Sequence, residues 1–215
     1  MTLIRIATFT ADNRSATLAK LLRAHGLENF EPRRAETGKP YLLAADGSLA
    51  GLAISHVRGP GTSCSFMAVS DVATLGIDAA VWPQPGADEI FLASIAAPED
   101  AALIAKCRAA GRDPATLLWV LKEAALKAHG EVMTDPRHIT VGLSTNGQIH
   151  ALLNSAARAP LPRSKLRVLE WHRNNIEPDI ILSVAIADME SRKNGTNLDV
   201  LCDNASAGFE DCDWI

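Results

Sequence analysis

Leu118-Trp119-Val120-Leu121-Lys122-Glu123-Ala124-Ala125-Leu126-Lys127-Ala128-His129-Gly130 is the stretch on which the reading of the fold turns. Its punctuation predicts a helix. Asp113 suits the N-cap, Pro114 fits a first helical position that needs no backbone donor, and Gly130 suits a left-handed C-cap. Leu117, Leu121, Ala124 and Ala128 recur at helical spacing, and Leu118 and Ala125 widen the stripe. Most of the helix should therefore be buried. Trp119, Glu123 and Lys127 follow at i, i+4 and i+8 and stack along one side, with Lys122 beside them. These residues alone leave two readings open. One is a Glu–Lys surface pair, worth roughly 0.2–0.5 kcal/mol. The other is a set of charges lining a cleft, where they need partners against desolvation and suit a metal and a polyphosphate.

Working outward, the chain of 215 residues makes one large domain or two small lobes, and 47% apolar residues supply a substantial core. A net charge of −4 argues against generic binding to nucleic acid or anionic membranes. One Tyr and five Phe are too few for a stacking platform. Cys64, Cys107, Cys202 and Cys212 are widely spaced and form no CxxC pair, so neither a zinc site nor a disulfide framework is implied. The start of the chain lacks a signal-peptide pattern and no apolar run reaches the length of a membrane span, so a reducing cytoplasm is the expected location.

Upstream, Leu3–Phe9 reads as a strand, followed by a helix at about Asn13–His25 capped by Asp12 or Asn13 and ended by Gly26. Glu31–Glu36 reads as a charged connection. Leu49–Val57 reads as a strand, and Ser63–Val69 with Val72–Ala80 as a hairpin. Pro83, Pro85 and Gly86 break the chain. Downstream, Asp88–Ala93 and Pro98–Ala110 read as helices, and Ile139–Leu143, Gln148–Leu152, Leu166–Trp171 and Ile180–Ile186 as strands. The order suggests two α+β lobes, 1–82 and 83–190, with an acidic tail at 191–215 that is poorly ordered or loosely docked.

Asp78 ends an apolar strand and with Glu123 offers two oxygens to a hard cation, since magnesium takes one or two protein carboxylates. A strand-end Asp capping a turn is the competing reading. His56 reads as a structural residue or a ligand contact, and Lys39 as a solvated turn lysine.

In order, Gly38-Lys39-Pro40, Ser55-His56, Gly76-Ile77-Asp78, Glu99 and the run Trp119–Lys127 resemble the surfactin-synthetase-activating (Sfp) type of 4′-phosphopantetheinyl transferase. The resemblance runs from about Asn13 to Asp188 and includes a closing strand pair at Leu169–His172 and Ile181–Ala185. It implies an α+β fold of two pseudo-symmetric lobes with coenzyme A in the cleft between them. It implies Mg²⁺-dependent transfer of the phosphopantetheine arm of coenzyme A to a serine of an apo carrier protein, releasing adenosine 3′,5′-bisphosphate. Asp78 and Glu123 would hold Mg²⁺, with Glu99 a further candidate ligand for the oxygen that Ala80 does not supply. Glu123, or a water on the metal, would take the serine proton, and Lys127 would neutralise or protonate the leaving group. Lys39, Ser55 and His56 would contact the adenosine and its 3′-phosphate, with Arg14 and Lys122 as further phosphate contacts. The implied partners are coenzyme A and an acidic carrier, met by a pseudo-dimeric monomer. Two departures stand out. Ala80 occupies a position where relatives often carry a second carboxylate, and the N-terminus is short of basic residues, for which Arg33 or Arg34 would substitute. The alternative they motivate is a degenerate relative that binds coenzyme A or a carrier protein without catalysis.

Overall fold

The computed structural model describes residues 2–59, 62–83, 88–131, 135–145, 147–153, 163–172, 180–187, 198–202 and 208–211; for 59, 62, 172 and the last two segments it describes the backbone alone. The decisive stretch is helix α4, Pro114–His129. Its ends follow the expected chemistry. The Asp113 carboxylate accepts from the Ala115 and Thr116 amides and from the Thr116 hydroxyl, and Gly130 closes the helix at φ 72°. Eleven of its sixteen residues are buried, so packing against neighbours, more than helix propensity, holds it in place.

Two sheets lie against each other. The first holds β1 (Thr2–Phe9), β2 (Phe30–Arg34), β3 (Pro40–Ala44), β4 (Leu49–Gly59) and β5 (Thr62–Ser70). The second holds β6 (Leu75–Val81), β7 (Ile139–Leu143), β8 (Ile149–Leu153), β9 (Ser164–His172) and β10 (Ile180–Ala187), in the order β6-β10-β9-β8-β7. Ile4, Ile6, Ala53, Val57, Phe66 and Ala68 of the first sheet meet Leu75, Ile77, Leu182 and Val184 of the second in one buried cluster. Helix α1 (Arg14–His25) covers the outer face of the first sheet through Leu21 and Leu22. Helices α2 (Glu89–Ile95), α3 (Ala101–Ala109) and α4 cover the outer face of the second. The result is an α+β fold of two sheet-and-helix lobes, as expected from the sequence.

The period-two pattern of β6 explains its position. Leu75, Ile77 and Ala79 face the first sheet, whereas Ala80 packs on the helix side. Gly76, on that same side, has no side chain because there is no room for one. A Cβ there would lie 2.1 Å from the Ala124 carbonyl oxygen and 2.4 Å from the Ala128 nitrogen. The missing side chain lets α4 rest its backbone directly on β6.

Four expectations are corrected. The Ser63–Val69 and Val72–Ala80 segments do not form a hairpin. β5 pairs with β1 and β4, while β6 crosses to pair with β10, because both of its faces are covered. The change of sheet therefore comes between β5 and β6. Glu31–Glu36 is not mere connection: β2 is a charged edge strand bearing Pro32, a composition that keeps an edge from pairing further. The tail is not simply loosely docked, because Leu198–Cys202 (β11) pairs in parallel with β1 and Gly208–Asp211 (β12) pairs antiparallel with β9. At α1, neither Asp12 nor Asn13 caps the helix end by the expected bond; Asn13 Oδ1 instead accepts the Thr10 amide upstream at 2.7 Å.

Candidate active site

β6 is the edge of its sheet, and its Asp78 lies where β4, β6 and α4 converge. Asp78 is 8% exposed. Its Oδ1 accepts from Ser55 Oγ of β4 at 3.2 Å and from Lys127 Nζ of α4 at 2.5 Å. Glu123, one helical turn before Lys127, is half-buried and feels both charges. Burial raises the Asp78 carboxyl above the usual range, opposed by Lys127 and by Ser55. Burial also raises Glu123, the Asp78 charge raises it further, and Lys127 opposes. Two carboxylates thus share one half-exposed ammonium, an arrangement short of positive charge.

A cationic cluster adjoins this pair. His56, on β4, holds its Nδ1 2.7 Å from Ser65 Oγ and packs edge-on against Phe9. Burial lowers its pKa, and the charges of Arg14, Arg58 and Lys127 lower it further. One imidazole thus feels cations carried by α1, β4 and α4. Lys39 stands on the other side of Lys127. Its Nζ donates to the Ala128 carbonyl at 2.6 Å, and burial pushes its pKa down to about 8. Between the two lysines opens a cavity of about 190 Å³, lined also by Thr37, Pro40, Leu52, Ile54, Leu75 and Glu131. The arrangement suits an anion with an apolar or aromatic body attached.

Arg14, Lys39, Ser55, His56, Asp78, Glu123 and Lys127 are thus gathered around one seam. Lys122 and Glu99 are not. Lys122 is fully buried, and its ammonium is spent on the Ile95 and Pro136 carbonyls, at 2.7 and 3.0 Å, and on Asp100 at 2.7 Å. An ammonium has three donors, so none remains for a phosphate. Asp100 is equally buried and also accepts the Ala97 and Val141 amides, which breaks the expected Pro98–Ala110 helix into a tight turn and α3. Lys122 is a structural brace. Glu99 stands exposed on that turn, beside the brace, and among the described residues no three acidic, His or Cys side chains gather as a metal site. Arg33 pairs with Glu31, and Arg34 donates to the Gly38 carbonyl, so both are held at the surface near β2.

Two contributors escaped the sequence reading. The strand expected to end at Val57 continues to Gly59, and period two puts Arg58 on the side of His56. Ser65 lies directly opposite His56 in the β4–β5 register, a pairing that no local pattern announces.

Residues 74–175 match the family model of the 4′-phosphopantetheinyl transferase superfamily. The superfamily so matched transfers phosphopantetheinyl groups. The matched segment carries Asp78, Glu123 and Lys127, whereas Arg14, Lys39, Ser55 and His56 precede it. A comparison with curated proteins gives no match. No helix among the described residues is long and apolar enough to cross a membrane.

Proposed function

We propose that the protein transfers the 4′-phosphopantetheine arm of coenzyme A to a serine of an apo carrier protein, acting as a cytoplasmic monomer. The observation that carries this reading is the convergence of Asp78, Glu123 and Lys127 at the seam, with Arg14, His56, Arg58 and Lys39 flanking them. The serine oxygen attacks the phosphorus that bears pantetheine. The bond from that phosphorus to the bridging oxygen breaks, and adenosine 3′,5′-bisphosphate leaves. Glu123, whose carboxylate has a second oxygen beside the one that would hold a cation, accepts the serine proton. Lys127 faces the leaving phosphate, and Arg14, Arg58, His56 and Lys39 hold the bisphosphate. Ser55 keeps Asp78 oriented by its hydrogen bond.

The acidic pair fits a divalent cation. Both carboxyls are raised by burial and Glu123 further by its neighbour, a cost that a hard cation relieves. Asp78 and Glu123 would hold Mg²⁺, which supplies charge stabilisation at the pyrophosphate oxygens.

The test is incubation of the purified protein with Mg²⁺, coenzyme A and a panel of apo carriers, read by intact mass. A gain of one phosphopantetheine arm is expected. Glu123→Ala and Lys127→Ala should each slow it by about 10²–10³-fold, as loss of a charge-stabilising group does. A second reading rests on Ala80, whose methyl packs against the helix-side core where relatives often carry a carboxylate. On that reading the protein binds coenzyme A but modifies no carrier, and the same panel separates the two.

A further inference from the structure

On the helix side of the β6–β10 pair, Gly76 lies opposite Ala185, Asp78 opposite Ser183, and Ala80 opposite Ile181. Residues directly opposite in an antiparallel pair share a face, with Cβ atoms about 4.5–5.5 Å apart. Ile181 and Ala185 both pack into the core beneath α4, which fixes Ser183 on that side. Of these three cross-strand pairs, two are apolar and one sets a hydroxyl beside the candidate cation-holding carboxylate.

Ser183 is 0% exposed, and its Oγ has no hydrogen-bond partner among the described residues. Burying a hydroxyl without a partner is unfavourable, and alanine would pack as well. The two side-chain donors that reach Asp78, Ser55 and Lys127, both go to Oδ1, and both come from outside the second sheet. Lys127 is also the lysine that has to face phosphate. When it does so, Asp78 loses its strongest partner.

We propose that Ser183 is a positioning residue for Asp78, its hydroxyl rotating to donate to the carboxylate when Asp78 holds a divalent cation and Lys127 turns to a phosphate. The proposal rests on the reading of Asp78 and Glu123 as cation ligands. It also offers a counterpart to Ala80: the strand that lacks a second carboxylate has a hydroxyl across from the first.

The test is titration of the full-length, metal-free protein with Mn²⁺, without coenzyme A or carrier, reading free Mn²⁺ by electron paramagnetic resonance. Ser183→Ala should weaken Mn²⁺ binding by about 10–100-fold, the usual effect of removing a hydrogen-bond partner from a metal ligand. Ser183→Thr, which keeps the hydroxyl, should restore affinity to within about threefold of the native protein, a small part of that range. The metal-free Ser183→Ala protein should melt no lower than the native one, because it loses an unpaired buried hydroxyl. Equal Mn²⁺ affinity in native and Ser183→Ala proteins, with Asp78→Asn abolishing binding, overturns the proposal alone. Native and Asp78→Asn proteins that bind Mn²⁺ alike, or not at all, overturn the proposal together with the reading beneath it.

Discussion

Lys122 and Glu123 are neighbours with opposite fates. One residue of α-helix turns the side chain by about a quarter of a circle, so Lys122 points into the protein while Glu123 points to the seam. The motif carries both as a dipeptide, and the family resemblance places both at the site. The structure separates them because Asp100, in a turn the periodicity had assigned to a helix, draws back to meet Lys122. Lys122→Ala should therefore act on stability, costing about 3–5 kcal/mol by leaving Asp100 buried without a counter-charge. Equilibrium unfolding in urea checks this. Lys39 makes the complementary case, a lysine whose charge is available to a ligand but conditional. Burial holds its pKa at about 8, below the ordinary lysine value. Between those two values the unfolded chain holds a proton that the folded chain has released, so this group makes folding more favourable as pH rises. Its grip on an anion moves the other way and is lost as pH rises through about 8. Calorimetric affinity for adenosine 3′,5′-bisphosphate should fall between about pH 7 and pH 9 and stay flatter in Lys39→Arg, whose guanidinium keeps its proton.

Among the elements, α4 was the most legible and β6 the least. A helix states its caps and its stripe within its own residues, which is why Asp113, Pro114 and Gly130 read correctly. β6 has its meaning in partners far along the chain: β10 beside it, α4 above it and β4 at its edge. Gly76 is the position where those demands meet. Gly76→Ala must push α4 off the strand, because the clash is with backbone, which cannot rotate away. Overpacking of this kind costs about 1–3 kcal/mol. The same displacement moves Glu123 and Lys127 away from Asp78. Chemical unfolding should show the lost stability, and Mn²⁺ titration should show weaker binding although no charged group has changed.

At the scale of the whole molecule, four layers stack as helix, sheet, sheet and helices, and the site occupies a seam between the sheets rather than the middle of either. The strands from Ile139 to Ala187 were legible because they alternate or run apolar over full lengths. The tail was not. Its acidic composition resembles that of unstructured segments, and what orders β11 and β12 is backbone pairing with strands already in place. Removing residues 198–215 should bare the outer edge of β1 and part of β9, lowering the melting temperature by at least about 2–4 °C, the response to 1 kcal/mol in a chain of this size. Scanning calorimetry on the shortened chain checks this, and light scattering should show the aggregation that open strand edges invite.

The pairing of β6 with β10 has a consequence for how the protein is made. A ribosome delivers β6 well before β10 and delivers β11 later still, while β1 comes first of all. The strand that bears Asp78 emerges early and waits for most of the remaining chain before it has a strand to pair with. Long-range pairing of this kind is slow and leaves apolar strands uncovered in the interval. The nascent chain is therefore a natural client for chaperones. A product that stops before β10 carries Asp78, Glu123 and Lys127 without the strand that pairs with β6, so on the proposed function unfinished copies should be inert toward coenzyme A rather than partly active.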